Sequence, residues 1–210
     1  MVIKQWKSDD LTLCKIFGRN HENDITGLVI SDDEEELVSV SLDGTLFKYK
    51  ISTGEVINSQ KGLHDSKGIT CMKLSNNSKY IFTGGRDNTV KHLDFKKNEQ
   101  IGTGFDHNFS FSDSYNVFAD YHQISFIEID SENDYLYTAS TDRKLRQWSI
   151  KNKDIVHDFG IMSQTWVNTM KLSPDNNFLI VAGNDKTFKQ IEIATKKIVY
   201  DEFVFPEITD

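Results

Sequence analysis

Apolar residues recur along the chain in a fixed frame around four aspartates, Asp43, Asp87, Asp142 and Asp185, which stand 44, 55 and 43 residues apart. Counting back 18, 15 and 13 positions gives Ile25, Leu28 and Ile30; Ile69, Met72 and Leu74; Ile124, Ile127 and Ile129; and Val167, Met170 and Leu172. Counting forward 3 and 8 gives Leu46 and Ile51; Val90 and Phe95; Leu145 and Ile150; and Phe188 and Ile193. All twenty positions are apolar, which a chain of 38% apolar residues would do by chance about once in 10^8. Twelve residues before each aspartate stands a turn-forming residue: Ser31, Ser75, Asp130 and Ser173.

Within each period, short apolar alternations are punctuated by Gly, Asn, Asp and Ser clusters, which predicts four strands per repeat. In the last repeat these are strand a over 167–172, b over 178–182, c over 187–193 and d over 197–201. One such sheet cannot bury both faces, so the units must stack on one another. The frame divides the chain as a single domain, 1–210, into a partial unit at 1–20 and repeats at about 21–62, 63–105, 119–162 and 163–203. The long second interval hides an insertion at about 105–121 containing Phe105, Phe109, Phe111, Tyr115, Phe118 and Tyr121. Such a loop either folds over a blade edge and buries its own rings or shows them to a partner.

A period of about 43, four strands and a tryptophan six residues after the aspartate, best seen in Thr138-Ala139-Ser140-Thr141-Asp142-Arg143-Lys144-Leu145-Arg146-Gln147-Trp148, resemble the WD-repeat β-propeller family over nearly the whole chain. The resemblance implies an all-β propeller of four full four-stranded blades plus a partial N-terminal blade, Trp6 occupying the tryptophan column of the latter. It also implies a buried tetrad in each blade: a His before strand a, a Ser or Thr in strand b, the turn Asp and the strand c Trp. The first repeat offers His21, Ser39 and Asp43 with Tyr49 in the Trp column; the second offers His64, Thr83 and Asp87, with Leu93. The third offers Thr138, Asp142 and Trp148, His122 being the nearest histidine; the fourth keeps Asp185, with Val181 and Ile191 at the other columns. His, Ser and Asp are catalytic residue types, but recurrence at architectural spacing marks them as structural.

The family implies binding through exposed face residues. The b–c turns and d–a loops share one face, called top here, and nominate Arg86, Arg143, Lys186, Trp166, Phe109, Phe111 and Tyr115 as partner-binding residues. Trp166 is either wedged between blades or an exposed anchor, the wedge being favoured. The implied function is a non-catalytic scaffold for other proteins. The alternative is a propeller hydrolase with its site at the central channel. Strand a lines that channel and carries Lys73, Glu128 and Lys171 among apolar, Ser, Thr and Cys residues. An array opening inside strand c would be an arc or part of a larger propeller, self-associating through end faces that include Ile3, Trp6, Ile180, Phe188 and Ile191.

Composition narrows the partners. A net charge of -8 disfavours nucleic acid. No apolar run approaches the roughly 20 residues of a membrane span. The acidic run at 32–36 is expected to be a solvated a–b turn. Cys14 and Cys71 have no metal-ligand spacing and are expected to be buried, reduced thiols. With no signal-peptide core, the cell interior is expected, the cytoplasm first and the nucleus left open. No phosphate loop, nucleophile elbow or paired-histidine motif occurs, so no cofactor and no metal is expected.

Overall fold

The computed structural model describes residues 1–65, 67–107 and 122–203, and these are all β, without helix. Strands β1 (Ile3–Trp6) and β2 (Leu13–Phe17) form a two-stranded sheet. Blade 1 follows: β3 (Ile25–Ile30), β4 (Glu36–Ser41), β5 (Thr45–Lys50) and β6 (Val56–Lys61). Blade 2 has β7 (Ile69–Leu74), β8 (Tyr80–Gly85), β9 (Thr89–Asp94) and β10 (Phe105–Asp106). Blade 3 has β11 (Ile124–Ile129), β12 (Tyr135–Ser140), β13 (Lys144–Ser149) and β14 (Ile155–Ile161). Blade 4 has β15 (Val167–Leu172), β16 (Phe178–Gly183), β17 (Thr187–Glu192) and β18 (Lys197–Phe203). Each blade is an antiparallel meander, and no sheet joins the first and last described strands.

The four β3, β7, β11 and β15 strands share a β-bulge at one column: the register shifts between Ile25 and Gly27, Ile69 and Cys71, Ile124 and Phe126, and Val167 and Thr169. A bulge re-aims the extra residue's side chain away from the sheet face. Here it frees Thr26 and Thr70 to hydrogen-bond the next blade.

The core is a series of layers between blades. Val38, Val40 and Leu46 of blade 1 pack on Ile69, Ile81, Leu93 and Phe95 of blade 2. Phe82, Val90 and Phe105 of blade 2 meet Ile124, Leu136 and Trp148 of blade 3. Tyr137, Ala139 and Leu145 of blade 3 meet Val167, Leu179 and Ile191 of blade 4. Ile3 and Phe17 cap Leu37 and Tyr49 of blade 1. Burying a Leu, Ile or Phe side chain stabilises by about 1.5–3 kcal/mol, so each blade depends on its neighbour.

Several expectations change. Phe105 is not part of an insertion loop: it is buried in β10, opposite Val90, with its ring tilted against Phe82 and edge-on to Trp148. The intervening stretch therefore starts after His107, and Phe109, Phe111, Tyr115, Phe118 and Tyr121 lie outside the described residues. Of the expected end-face residues, Trp6 is exposed, but Ile3 and Ile191 are buried because each points inward to the neighbouring blade. Cys14 is exposed on β2, whereas Cys71 is partly buried, with its thiol pushed up to about 12 by burial.

Candidate partner-binding face

The top face begins with the four b–c turns. Each aspartate accepts the backbone N–H two residues on: Thr45 to Asp43 at 2.8 Å, Thr89 to Asp87 at 3.0 Å, Lys144 to Asp142 at 2.9 Å and Thr187 to Asp185 at 3.2 Å. The residue after each aspartate is left-handed, with φ of 76° at Gly44, 59° at Asn88, 69° at Arg143 and 63° at Lys186. This Asx-type turn satisfies its own backbone. Arg143 and Lys186 stand exposed on it, as does Arg86 one residue before its aspartate.

Buried networks hold the turns in blades 1 and 2. His21 Nδ1 lies 3.2 Å from Asp43 Oδ2 and its Nε2 2.6 Å from Ser39 Oγ. His64 Nδ1 lies 2.9 Å from Asp87 Oδ1 and its Nε2 2.9 Å from Thr83 Oγ1. A carboxylate only accepts, so Nδ1 donates to it and Nε2 accepts the hydroxyl proton. Burial lowers the His21 pKa against the opposing pull of Asp43. Burial also works to raise the Asp43 carboxyl, but hydrogen bonds from Thr45 and Glu22 outweigh it and bring the pKa to about 2. Tyr49 does not join this network. A phenol carries its polar atom at the ring tip, and the Tyr49 hydroxyl accepts from Asn20 Nδ2 at 3.4 Å instead.

Blade 3 is built differently. Its histidine is His107, not His122: Nε2 is 2.5 Å from Thr138 Oγ1, which also accepts Trp148 Nε1–H at 2.8 Å. The interval from His107 to Asp142 is 35 residues because the extra chain follows the histidine; placed there, His107 falls in the histidine column. Asp142 does not reach it, at 3.9 Å. Arg146 stands between, donating to Asp142 Oδ2 at 2.8 Å and to His107 Nδ1. Guanidinium has no acceptor, so His107 must carry its proton on Nε2, the reverse of His21 and His64. The sequence frame did not single out Arg146, since nothing in an arginine four residues after the turn Asp distinguishes it from a surface charge. In blade 4, Ser163 takes the histidine column, and Asp185 receives Gln164 N–H at 2.6 Å.

The face residues gather at the junction of blades 3 and 4. Trp166 is 53% exposed, so it is not wedged between blades. Its carbonyl anchors the next turn by accepting Asn184 N–H at 3.0 Å. Arg143 Nη1 donates to Gln164 O at 3.3 Å, and Asn168 Nδ2 to Asn184 Oδ1 at 3.5 Å. Trp166, Arg143 and Lys186 thus belong to one junction, while Arg86 sits on blade 2; Phe109, Phe111 and Tyr115 lie outside the described residues.

The strands a carry one acidic residue, Glu128, and both its oxygens are engaged: Lys73 Nζ at 2.8 Å and Lys171 Nζ at 2.9 Å, each from a flanking blade. Among the described residues no group of three or more His, Cys, Asp or Glu is placed to hold a metal, and no helix is long and apolar enough to cross a membrane.

Comparison with known proteins agrees with this geometry. The WD domain, G-beta repeat family matches residues 12–50, 58–94, 113–149 and 157–191. The chain is 29% identical over 144 residues to a CCR4-associated factor 4 homolog of Vanderwaltozyma polyspora, covering 67% of this chain and 21% of that protein. It is 30% identical over 129 residues to autophagy-related protein 16 of Arabidopsis thaliana, covering 61% of this chain and 23% of that protein. The chain therefore spans under a quarter of the length of these relatives. The crystal structure of the Cps50 (Swd1) β-propeller domain of Myceliophteria thermophila superposes with a TM-score of 0.75 at 13% identity, over 91% of this chain and 58% of that one. With four in-phase blades, their turn aspartates and the family match over most of its length, this chain belongs to the WD domain, G-beta repeat family.

Proposed function

We propose that the chain is a non-catalytic protein-interaction scaffold that engages its partner through the top face at the junction of blades 3 and 4. The observation that carries this is Trp166, a half-exposed indole on a backbone fixed by Asn184, with Arg143 and Lys186 on the adjoining turns. Tryptophan and arginine dominate the energetic centres of protein interfaces, and a rigid turn lowers the entropy lost on binding. The names of two relatives, a CCR4-associated factor and a U3 snoRNP-associated protein, describe assembly with other macromolecules. The scaffold reading extends that to this chain inside the cell, with Phe109, Phe111 and Tyr115 as further contacts. A channel hydrolase has less support, because both oxygens of Glu128, the one acidic residue on the described a strands, are held in ion pairs by Lys73 and Lys171.

The test is affinity capture from cell extract with the full chain and its Trp166→Ala/Arg143→Ala variant. Specific partners should be lost at least tenfold with an unchanged melting curve, since both side chains are exposed. Undiminished capture would place binding elsewhere.

A further inference from the structure

One bond recurs on the top face of every blade, joining its b–c turn to its d–a loop. The N–H just before the turn aspartate donates to a loop carbonyl: Leu42 to Asp24 at 2.9 Å, Arg86 to Gly68 at 3.1 Å, Thr141 to Gln123 at 2.9 Å and Asn184 to Trp166 at 3.0 Å. The backbone is thus held alike in the four blades, and the side chains alone distinguish them. The loop column carries Asp24, Gly68, Gln123 and Trp166, and the left-handed turn column carries Gly44, Asn88, Arg143 and Lys186. Blades 1 and 2 present little there, since Gly44, Gly68 and Asn88 are buried. Blades 3 and 4 place a guanidinium, an indole and an ammonium around one junction.

These two cations are not spent inside the protein. The carboxylates next to them in the chain are engaged by their own blades: Asp142 by Arg146 and the Lys144 N–H, Asp185 by the Gln164 N–H and by the N–H and hydroxyl of Thr187. Among the described residues, neither Arg143 nor Lys186 has a carboxylate within ion-pair distance. Arg143 gives one bond, from Nη1 to Gln164 O, and keeps the rest of its donor fork. Apolar surface adjoins the charges. Ile161, 57% exposed, ends β14 beside the same turn, where the next residue, Met162, donates its N–H to Arg143 O at 2.9 Å.

We infer that this junction selects an unphosphorylated acidic segment of a partner protein. A large apolar side chain of the segment lies on Trp166 and Ile161, and carboxylates on either side of it meet Arg143 and Lys186. This rests on the scaffold reading and adds to it the chemistry of the partner. A cation covered by a partner without a counter-charge is costly, and a carboxylate accepts two parallel bonds from a guanidinium fork. The cations come singly, one on each turn, which suits carboxylates spaced along a chain; phosphate-bearing segments are taken by clustered arginines. The net charge of -8 gives the protein as a whole the opposite sign, so an acidic segment is repelled elsewhere and steered to this junction.

Random peptides displayed on phage and panned against the full chain test this. Enriched sequences should be net acidic around one aromatic or large aliphatic residue. A fluorescein-labelled enriched peptide should bind about tenfold more weakly after Arg143→Glu/Lys186→Glu, and several-fold more weakly as salt rises from about 0.05 to about 0.5 M. Panning the charge-reversed variant should enrich Lys- and Arg-bearing sequences instead. The peptide should also shield Trp166 from acrylamide in the Trp6→Phe chain, whose other tryptophan, Trp148, is buried. No enrichment, enrichment of neutral or basic sequences, or tighter binding of the phosphorylated peptide or of an oligouridylate overturns the inference. Binding that survives charge reversal but fails in Trp166→Ala overturns the inference and leaves the scaffold reading standing; binding that survives both overturns that reading too. Trp166 already shielded in the free monomer would put the protein's own chain on the patch, and shielding that grows with protein concentration would put a second copy there; either overturns the inference.

Discussion

Asp142→Ala should unfold this protein far more readily than Asp185→Ala, although both residues occupy the same column. Asp142 Oδ2 holds Arg146 at 2.8 Å, and that arginine side chain is only 2% exposed. Its remaining acidic neighbour, Asp158, is 3.6 Å from Nε and itself 41% exposed. Removing Asp142 leaves a buried guanidinium without its principal counter-charge, which costs about 3–5 kcal/mol. The Asp185 hydrogen bonds from Gln164 and Thr187 lie at the rim of the last blade, where water replaces the lost acceptor, at about 1 kcal/mol. For a domain of this size about 2–4 °C accompanies each kcal/mol, so the expected losses are about 6–20 °C and about 2–4 °C. Urea titration followed by fluorescence of the buried Trp148 measures both variants. Asp142→Ala/Arg146→Met should recover at least half of the single-variant loss, because removing both charges leaves none unpaired. Equal midpoints for the two aspartate variants, or no recovery in the double variant, would refute the argument that the buried arginine sets the cost.

Acidification should destabilise the fold in two stages. His92 is held to about 4, first by burial and then by the nearby Lys153. The unfolded chain takes up that proton at higher pH, so stability present above about 6.5 is lost as pH falls toward 4, visible as a falling melting temperature. Asp43 and Asp185, both at about 2 despite burial because Thr45 and Thr187 donate to them, add a second loss below about pH 4. His92→Phe should shrink the first stage without abolishing it, because burial also lowers the His21 and His107 pKa values, checked by melting at stepped pH. Gly85→Ala should disrupt blade 2, because a Cβ there would come 2.2 Å from His64 Nδ1; limited proteolysis should then cut within residues 67–107 first. Trp148→Phe should cost about 1 kcal/mol through the lost bond to Thr138, read by urea denaturation with circular dichroism.

The blade count and strand positions were legible because stacked sheets bury one fixed set of columns, and a repeated burial pattern leaves a repeated apolar pattern in the chain. The same periodicity concealed His107: an insertion placed after a histidine shifts its spacing without changing its role. Arg146 was illegible for another reason, since its burial comes from the Asp142–His107 gap it fills and not from any local pattern. Leu28 and Ile30 show the converse, apolar at core columns yet half exposed, because burial depends on the neighbouring blade and not on the strand itself. Trp166 likewise read as a wedge, but the d–a loop turns it outward once Asn184 fixes its carbonyl.

The sequence by itself determined the all-β blades, their turns and the polar triads of the first two repeats, since each is written in residues near one another in a repeating frame. Only the tertiary structure decided which histidine completes the third network, which tautomer each histidine holds and which apolar strands are left uncovered. Those depend on contacts between blades, where residues 43 to 57 positions apart meet at distances that no local spacing encodes.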